Sequence, residues 1–373
     1  MKRVIVASDS FKGSLSSMQV ADAVEQGIHK VYPECDVIKV NVADGGEGTM
    51  EALLETLGGR VETITVSNPL GRPVSASYAI LADGQTAVME MSAASGLPLL
   101  SPEERNPMKT STYGTGEMIK DALSKACRKI LVGIGGSATN DGGMGMLTAL
   151  GFRFLDSEGN VLKGTGADMS KLEKIDTNQV PKAVKDAEFI VACDVDSPFC
   201  GPKGAAYVFS PQKGADAAMV EELDRGMHHF AELINRTFKK DIMDIPGAGA
   251  AGGLGGGFIA FLNARLERGV EMVLDAIHFD EIIKGADFVI TGEGRVDFQT
   301  LTGKTPYGVM CRAKRQNIKV AAIGGSVSLS DKEDVSGFDR ILQATPEGMP
   351  LSLAMQPQVA MENVSAAAEK LMR

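Results

Sequence analysis

The chain alternates short apolar runs with amphipathic helical segments at both of its ends but not in its middle. Residues 4–7 and 37–42 are apolar runs of strand length, fit for buried parallel strands. Between them Ser16 and Gln19 spell a capping box, and Val20, Val24, Ile28 and Val31 fall on one helical face before Pro33. Met50, Leu53, Leu54 and Leu57 line a second helix, which stops at Gly58-Gly59. The rhythm returns with apolar runs at 288–291, 320–323 and 341–344, a helical pattern around Val309 and Ala313, and another at Val364, Ala368 and Leu371. In the middle, runs at 61–66, 74–81 and 86–91 are separated by the turn sequences Asn68-Pro69-Leu70-Gly71 and Asp83-Gly84. These predict an antiparallel meander. A helix from about Thr115, strands at 129–134 and 189–193, a hairpin of 152–155 with 161–162, and a long helix through Val220, Leu223, Met227 and Ile234 complete the middle. The expected architecture is α/β with two domains. A doubly wound parallel-sheet domain is built from residues 1–64 and 285–373, and a mixed α+β domain, 65–284, is inserted in it. A cleft between them is the expected ligand site.

Composition narrows the partners. With 38 Lys+Arg against 48 Asp+Glu the net charge is −10, and there is no tryptophan. Both argue against nucleic-acid or anionic-membrane binding. No apolar stretch approaches the roughly 20 residues of a bilayer span, and the N-terminal apolar run ends at Asp9, too short for a signal segment. The five cysteines, Cys35, Cys127, Cys193, Cys200 and Cys311, form no CxxC pair. A reduced, cytoplasmic protein without a structural zinc or a disulfide framework is expected.

The 43 glycines outnumber the 15 prolines and gather in loops that follow strand-like runs. In open α/β sheets such loops hold ligands. The first, Ser8-Asp9-Ser10-Phe11-Lys12-Gly13-Ser14, combines a carboxylate, a cation and hydroxyls. A polar turn with a helix cap is its structural alternative. The second, Asp44-Gly45-Gly46-Glu47-Gly48-Thr49, exposes backbone N–H groups ahead of a helix. Its acids Asp44 and Glu47 suit Mg²⁺ or substrate hydroxyls. The third, residues 133–143, matches GxGxxA at Gly133, Gly135 and Ala138. Its first glycine lies inside the strand and its helix starts only near Gly143, so it fits better as a cradle for phosphate or a small polar substrate.

In the fourth loop, residues 193–205, Asp194 and Asp196 are two apart after a strand. In extended geometry they share a face, as a divalent-ion site needs. A solvated surface pair is the alternative. The fifth, residues 247–257, is almost free of side chains, which suits either close helix packing or a helix terminus facing phosphates. The sixth, residues 291–306, is chemically the densest. Arg295 and Lys304 could neutralise phosphate oxygens, and Glu293 and Asp297 could bind a metal or take a hydroxyl proton. Gly303-Lys304-Thr305 matches the last three positions of a P-loop, but the glycine required five positions earlier is Phe298. No G-x-S-x-G elbow and no HExxH is present.

Taken together and in order, these six loops resemble the type 1 glycerate kinases of bacteria over essentially the whole chain. The resemblance implies ATP-dependent phosphorylation of D-glycerate with Mg²⁺ in the cytoplasm, on a flavodoxin-like domain carrying an inserted second domain. Relatives of this type point to 2-phosphoglycerate over 3-phosphoglycerate. Phosphoryl-transfer chemistry is mostly positioning and charge stabilisation, and it assigns roles to the loops. Arg295 and Lys304, with Lys12, meet phosphate oxygens. Asp194 and Asp196, or Asp44, hold Mg²⁺. Asp297, with Asp194 second, orients or deprotonates the glycerate hydroxyl. Ser137, Thr139 and Asn140 hydrogen-bond the substrate, and Ser10, Gly45, Gly46, Glu47, Gly292, Glu293 and Gly294 line the substrate and phosphate sites. Two other readings stay open: a nicotinamide-dependent dehydrogenase of a small hydroxy acid, resting on GxGxxA, and a non-catalytic hydroxy-acid-binding protein. The sequence leaves monomer or homodimer undecided.

Overall fold

The structure, a computed structural model, describes residues 1–46, 48–329 and 337–373, the side chains of 301 and 302 excepted. The chain divides into two compact units, Met1–Leu57 with Arg268–Arg373, and Gly58–Glu267. The boundaries differ from those expected. Strand Gly59–Ser67 pairs along its length with Pro73–Leu81, which carries 58–64 into the second unit. Helices Gly269–Ala276 and Phe279–Ile282 belong to the first unit, where Arg312 reaches Glu271, Asp275 and Asp280 at 2.5–2.6 Å.

The first unit is a five-stranded sheet in the order Arg340–Gln343, Lys319–Ser328, Phe288–Asp297, Arg3–Val6, Asp36–Lys39. Every pairing is parallel. Numbered within the unit this is 2-1-3-4-5, the flavodoxin-like order, whose switch point lies between the first and third strands. Helix Ser17–His29 begins with the expected capping box of Ser16 and Gln19. It covers one face together with Pro357–Met372, burying Val20, Val24, Ile28, Val364 and Ala368 against Val4, Val6, Ile290 and Ile323.

Two of these strands are longer than their apolar runs. Phe288–Asp297 and Lys319–Ser328 stay paired past the core, through Gly292↔Ile323, Glu293↔Gly324 and Arg295↔Ser326 to Asp297↔Ser328. The neighbouring first strand ends at Val6, opposite Ile290. Residues 292–297, expected as loop, are therefore a two-stranded extension beyond the carboxyl edge of the sheet. Its glycines allow the approach. A Cβ on Gly292 would stand 2.2 Å from the Ile323 carbonyl oxygen, and one on Gly325 2.6 Å from that of Gly294. Alternation along the strand puts Glu293, Arg295 and Asp297 on one face.

The second unit has a six-stranded sheet in the order Arg265–Glu267, Glu188–Ala192, Lys129–Gly133, Thr86–Glu90, Pro73–Leu81, Gly59–Ser67. The last three form the expected meander, while the first four run parallel. The expected hairpin reduces to a bridge between Leu155 and Val161, because Arg153–Leu155 takes Lys174–Asp176 as its main partner. Edge-to-face contacts among Phe152, Phe154, Phe230 and Phe261 pack the core beneath. Among the described residues no helix is long and apolar enough to cross a membrane.

Replacing Gly292 by Ala forces the Ile323 carbonyl away. The expected loss is about 1–3 kcal/mol of stability, as for overpacking in a well-packed interior. Urea unfolding of Gly292→Ala, with the wild type alongside, measures it.

Candidate active site

The six loops fall into two sets, one on each unit, and each set sits at the carboxyl edge of a sheet. In the first unit the first, second and sixth loops meet around the switch point. The Asp9 amide donates to the Gly292 carbonyl at 2.9 Å, tying the first loop to the extended third strand. The Thr305 hydroxyl, at the start of helix Thr305–Arg315, donates to Asp9 Oδ2 at 3.2 Å, and the Ser10 amide donates to Oδ1 at 2.7 Å. Burial pushes the Asp9 carboxyl up and the nearby Asp44 charge adds to it. The Ser10 amide, Lys12 and Thr305 oppose the shift. Asp44 accepts from the Gly46 amide at 3.1 Å and folds its own loop. Lys12 is exposed. Glu47 lies outside the described residues.

Glu293 is the buried acid of this set, 8% exposed. Its Oε2 lies 3.5 Å from Lys304 Nζ. Its Oε1 is buried with no partner. Burial raises its carboxyl above the usual range, while Thr300 and Lys304 pull it down and the Asp9 charge raises it further. Lys304 is the N-cap residue of the helix Thr305–Arg315 and makes no side-chain cap hydrogen bond; its ammonium turns to Glu293. Arg295 is exposed and pairs with Asp297 at 3.3 Å. Asp297 also caps the turn Phe298–Thr302, accepting from the Gln299 amide at 2.9 Å. Both its oxygens thus have protein partners, a structural commitment that sequence reasoning did not foresee. Gly292 and Gly294 serve the strand extension described above.

In the second unit the third, fourth and fifth loops meet. Strands Lys129–Gly133 and Glu188–Ala192 are neighbours, so the third and fourth loops leave the same edge side by side. The fifth packs on both. The Gly142 amide donates to the Gly252 carbonyl and the Gly249 amide to the Ser197 carbonyl, each at 3.0 Å. A Cβ on Gly252 would stand 2.0 Å from the Thr139 carbonyl oxygen. Ala251, Gly252 and Gly253 are all left-handed, a strained turn for the alanine. Close packing thus accounts for much of this glycine run. The third loop runs from Ile134 to helix Met144–Ala149, too long for a dinucleotide turn, and the first glycine of GxGxxA is the last residue of the strand.

Of the polar residues singled out on the third loop, Ser137, Thr139 and Asn140 are all buried. Asn140 accepts from the Ser210 hydroxyl at 2.9 Å and donates to the Met227 sulfur. Thr139 Oγ1 is buried without a partner. Ser137 accepts from Lys213 Nζ at 2.8 Å. Asp141, fully buried, accepts from the Thr112 amide and hydroxyl and from the Gly143 and Gly145 amides. Burial raises its carboxyl against those donors. Asp194 and Asp196 are exposed, in a loop beyond the strand rather than on it. Among the described residues no group of three or more His, Cys, Asp or Glu side chains is placed to hold a metal ion.

Of the seven buried side-chain polar atoms without a partner among the described residues, five lie at these edges, and Arg3 Nε and Arg105 Nε do not. Ser14 Oγ, Thr49 Oγ1, Thr291 Oγ1 and Glu293 Oε1 belong to the first, second and sixth loops, and Thr139 Oγ1 to the third. An unmet buried donor or acceptor costs about 1–3 kcal/mol, and a ligand that meets it recovers that cost. Asp9, Thr300, Thr305, Asp141 and Lys213 are the residues that sequence reasoning did not single out. Asp9 had a signal, as a carboxylate directly after the first strand. Lys213, in the turn Pro211–Lys213, had none.

The chain matches the model of the glycerate kinase family over residues 4–373. It is 46% identical over 355 residues to the glycerate kinase of Bacillus subtilis (strain 168), covering 95% of this chain and 93% of the relative. It is 45% identical to the glycerate 2-kinase of Escherichia coli (strain K12), covering 87% and 86%. A crystal structure described as glycerate kinase 2 from Salmonella typhimurium LT2 superposes with a TM-score of 0.90 at 43% identity, over 100% of this chain and 97% of that one.

The raised carboxyl of Glu293 has a consequence for stability. Its unfolded-state value is 4.5, and a carboxyl raised on folding favours the native state fully below that value, then loses the contribution as pH climbs through the folded value. Glu293→Gln removes the buried charge. Its melting temperature is expected to equal or exceed that of the wild type at pH 7.5, with the difference closing below about pH 4.5. Differential scanning fluorimetry across pH reads this directly.

Proposed function

The chain belongs to the glycerate kinase family and is a kinase, and from that premise we propose that it transfers the γ-phosphoryl group of ATP to D-glycerate, giving 2-phosphoglycerate in preference to 3-phosphoglycerate, in the cytoplasm. The regiochemistry rests on the name of the Escherichia coli relative, a glycerate 2-kinase. The observation that carries the phosphoryl-transfer reading is Lys304. It stands at the head of an eleven-residue helix, beside a buried carboxylate with one unmet oxygen, at the switch point of a parallel sheet. An ammonium there can swing from Glu293 to a phosphoryl oxygen, and the helix terminus favours the same anion.

The other roles follow from the chemistry of each side chain. Arg295 is exposed, and its forked guanidinium suits two phosphoryl oxygens at once. Lys12 adds a third cation on the first loop. Asp297 is the proposed base that orients or deprotonates the acceptor hydroxyl, with Asp194 second. To act, Asp297 exchanges its Arg295 partner for the substrate hydroxyl while its other oxygen keeps the turn capped. Ser10, Gly45, Gly46 and Glu47 are proposed to line the phosphate and substrate sites with their backbone and hydroxyl donors. Ser137, Thr139 and Asn140 are proposed to contact substrate, and the unmet Thr139 hydroxyl has a donor to spare.

Mg²⁺ needs only one or two protein carboxylates beside substrate phosphates, and Glu293 Oε1 is one oxygen here without a protein partner. Mg²⁺ would be held by Asp194 and Asp196, or by Asp44. When bound it would neutralise charge on the nucleotide phosphates.

Phosphorus NMR of the purified protein with ATP, Mg²⁺ and D-glycerate tests activity and regiochemistry together. The expected product resonance is that of 2-phosphoglycerate with stoichiometric ADP. Asp297→Asn is expected to cut turnover by about 10²–10⁴-fold, the span of general acid–base catalysis, with an unchanged melting temperature. Near-normal turnover in that variant removes Asp297 from the base role, and a dominant 3-phosphoglycerate signal reverses the regiochemistry.

A further inference from the structure

A buried lysine lies beneath the third loop. Lys213 is 1% exposed, on the turn Pro211–Lys213. Its ammonium donates to Ser137 Oγ at 2.8 Å and to the Thr139 carbonyl at 2.7 Å, so two of its three N–H donors go to neutral oxygens of this loop. No carboxylate bonds it. The charge that faces it is Asp141, whose oxygens are taken by Thr112, Gly143 and Gly145. Arg105 packs its backbone against Gly214, the next residue. A cation buried against neutral oxygens is expensive to keep, and a simple structural role would be filled as well by an apolar side chain.

The geometry of Ser137 indicates what the lysine does. The backbone on either side is fixed by the Leu97 amide to the Gly136 carbonyl at 2.8 Å and the Ala138 amide to the Ser95 carbonyl at 2.9 Å. Gly135 and Gly136 are exposed. We propose that Lys213 is a positioning residue for anion recognition: its ammonium occupies one lone pair of the buried Ser137 hydroxyl, leaving the hydroxyl proton to donate to a carboxylate or phosphoryl oxygen bound beside the exposed Gly135 and Gly136. The charge reaches the anion through an oriented hydroxyl, without an exposed cation. The proposal rests on the kinase reading only for the identity of the anion.

Burial pushes Lys213 down to about 7, opposed by Asp141. Its ammonium is therefore charged below neutrality and loses its proton as pH rises, so anion recognition should weaken with rising pH.

The test is steady-state kinetics of the wild type, Lys213→Met, Ser137→Ala and the double variant, with D-glycerate and MgATP varied separately from pH 6 to 8.5. Each single variant is expected to raise the KM of the same substrate by about tenfold, the size of a charge-assisted hydrogen bond, with a smaller change in kcat. The double variant should be no worse than the poorer single one. A shift in the glycerate KM identifies the anion as the carboxylate, and a shift in the ATP KM as the phosphoryl group. In the wild type that KM should climb as pH passes 7, and in Lys213→Met it should be flat. Unmoved KM values in Ser137→Ala, single effects that multiply in the double variant, or a wild-type profile as flat as that of Lys213→Met each overturn the proposal. Thermal melting reports whether Lys213→Met folds, and Ser137→Ala decides the matter if it does not. Should the wild type show no turnover, the kinase reading has failed. Calorimetric titration of D-glycerate and MgATP into the same four proteins then reads anion recognition by itself.

Discussion

Parallel pairing makes every strand of a sheet end at the same edge, and the placement of the chemistry in this chain follows from it. The first unit is parallel throughout. The loops after residues 6, 39 and 297 therefore leave one edge, and the order 2-1-3-4-5 makes two of them diverge at the switch point. Asp9 is far in sequence from Glu293, Lys304 and Thr305 but meets them there, the Thr305 hydroxyl reaching it at 3.2 Å and Lys304 lying 3.5 Å from Glu293. The second unit repeats the arrangement with its four parallel strands, and there the third, fourth and fifth loops interlock.

Gathering polar loops at a packed edge has a cost, and the structure shows where it is borne. Asp9, Glu293 and Asp141 all have carboxyls raised by burial, and Lys213 is lowered by the same cause. Desolvation outweighs the hydrogen bonds in each case. Ordinary structural ion pairs behave differently. Lys39, half-exposed between Asp22 and Glu25, is raised, because its partners outweigh its shallow burial. These four groups lie on the loops at the two carboxyl edges or directly beneath them, where shifted charges are expected at a functional site, although burial also shifts Tyr78, Lys240 and three cysteines elsewhere.

Legibility in the sequence tracked how local each cause was. The capping box of Ser16 and Gln19, the meander turns at 68–71 and 83–84 and the apolar runs of both sheets depend on neighbours in sequence, and all are present. The order of strands and the paired extension beyond Thr291 depend on contacts between distant segments. Nothing in Glu293-Gly294-Arg295-Val296-Asp297 announces that Gly324 and Gly325 will run alongside. Burial of Lys213 was invisible for the same reason, whereas the two partners of Asp297, Arg295 and the Gln299 amide, are local. A lysine between Gln212 and Gly214 reads as surface until Ser137 and Thr139 are folded over it.

The glycines join these two levels. A glycine in a strand-following loop can serve a ligand, by exposing an N–H, or a neighbouring backbone, by making room for it. Sequence cannot separate the two, because both select for a missing side chain. Here distance separates them. At Gly292 and Gly252 the space for a Cβ is already held by a carbonyl oxygen, within 2.2 Å and 2.0 Å. These glycines serve the fold that carries the site. At Gly135 nothing lies within 4 Å, so no protein neighbour accounts for the missing side chain there. Packing glycines bring the loops together, and at Gly135 the space is left open.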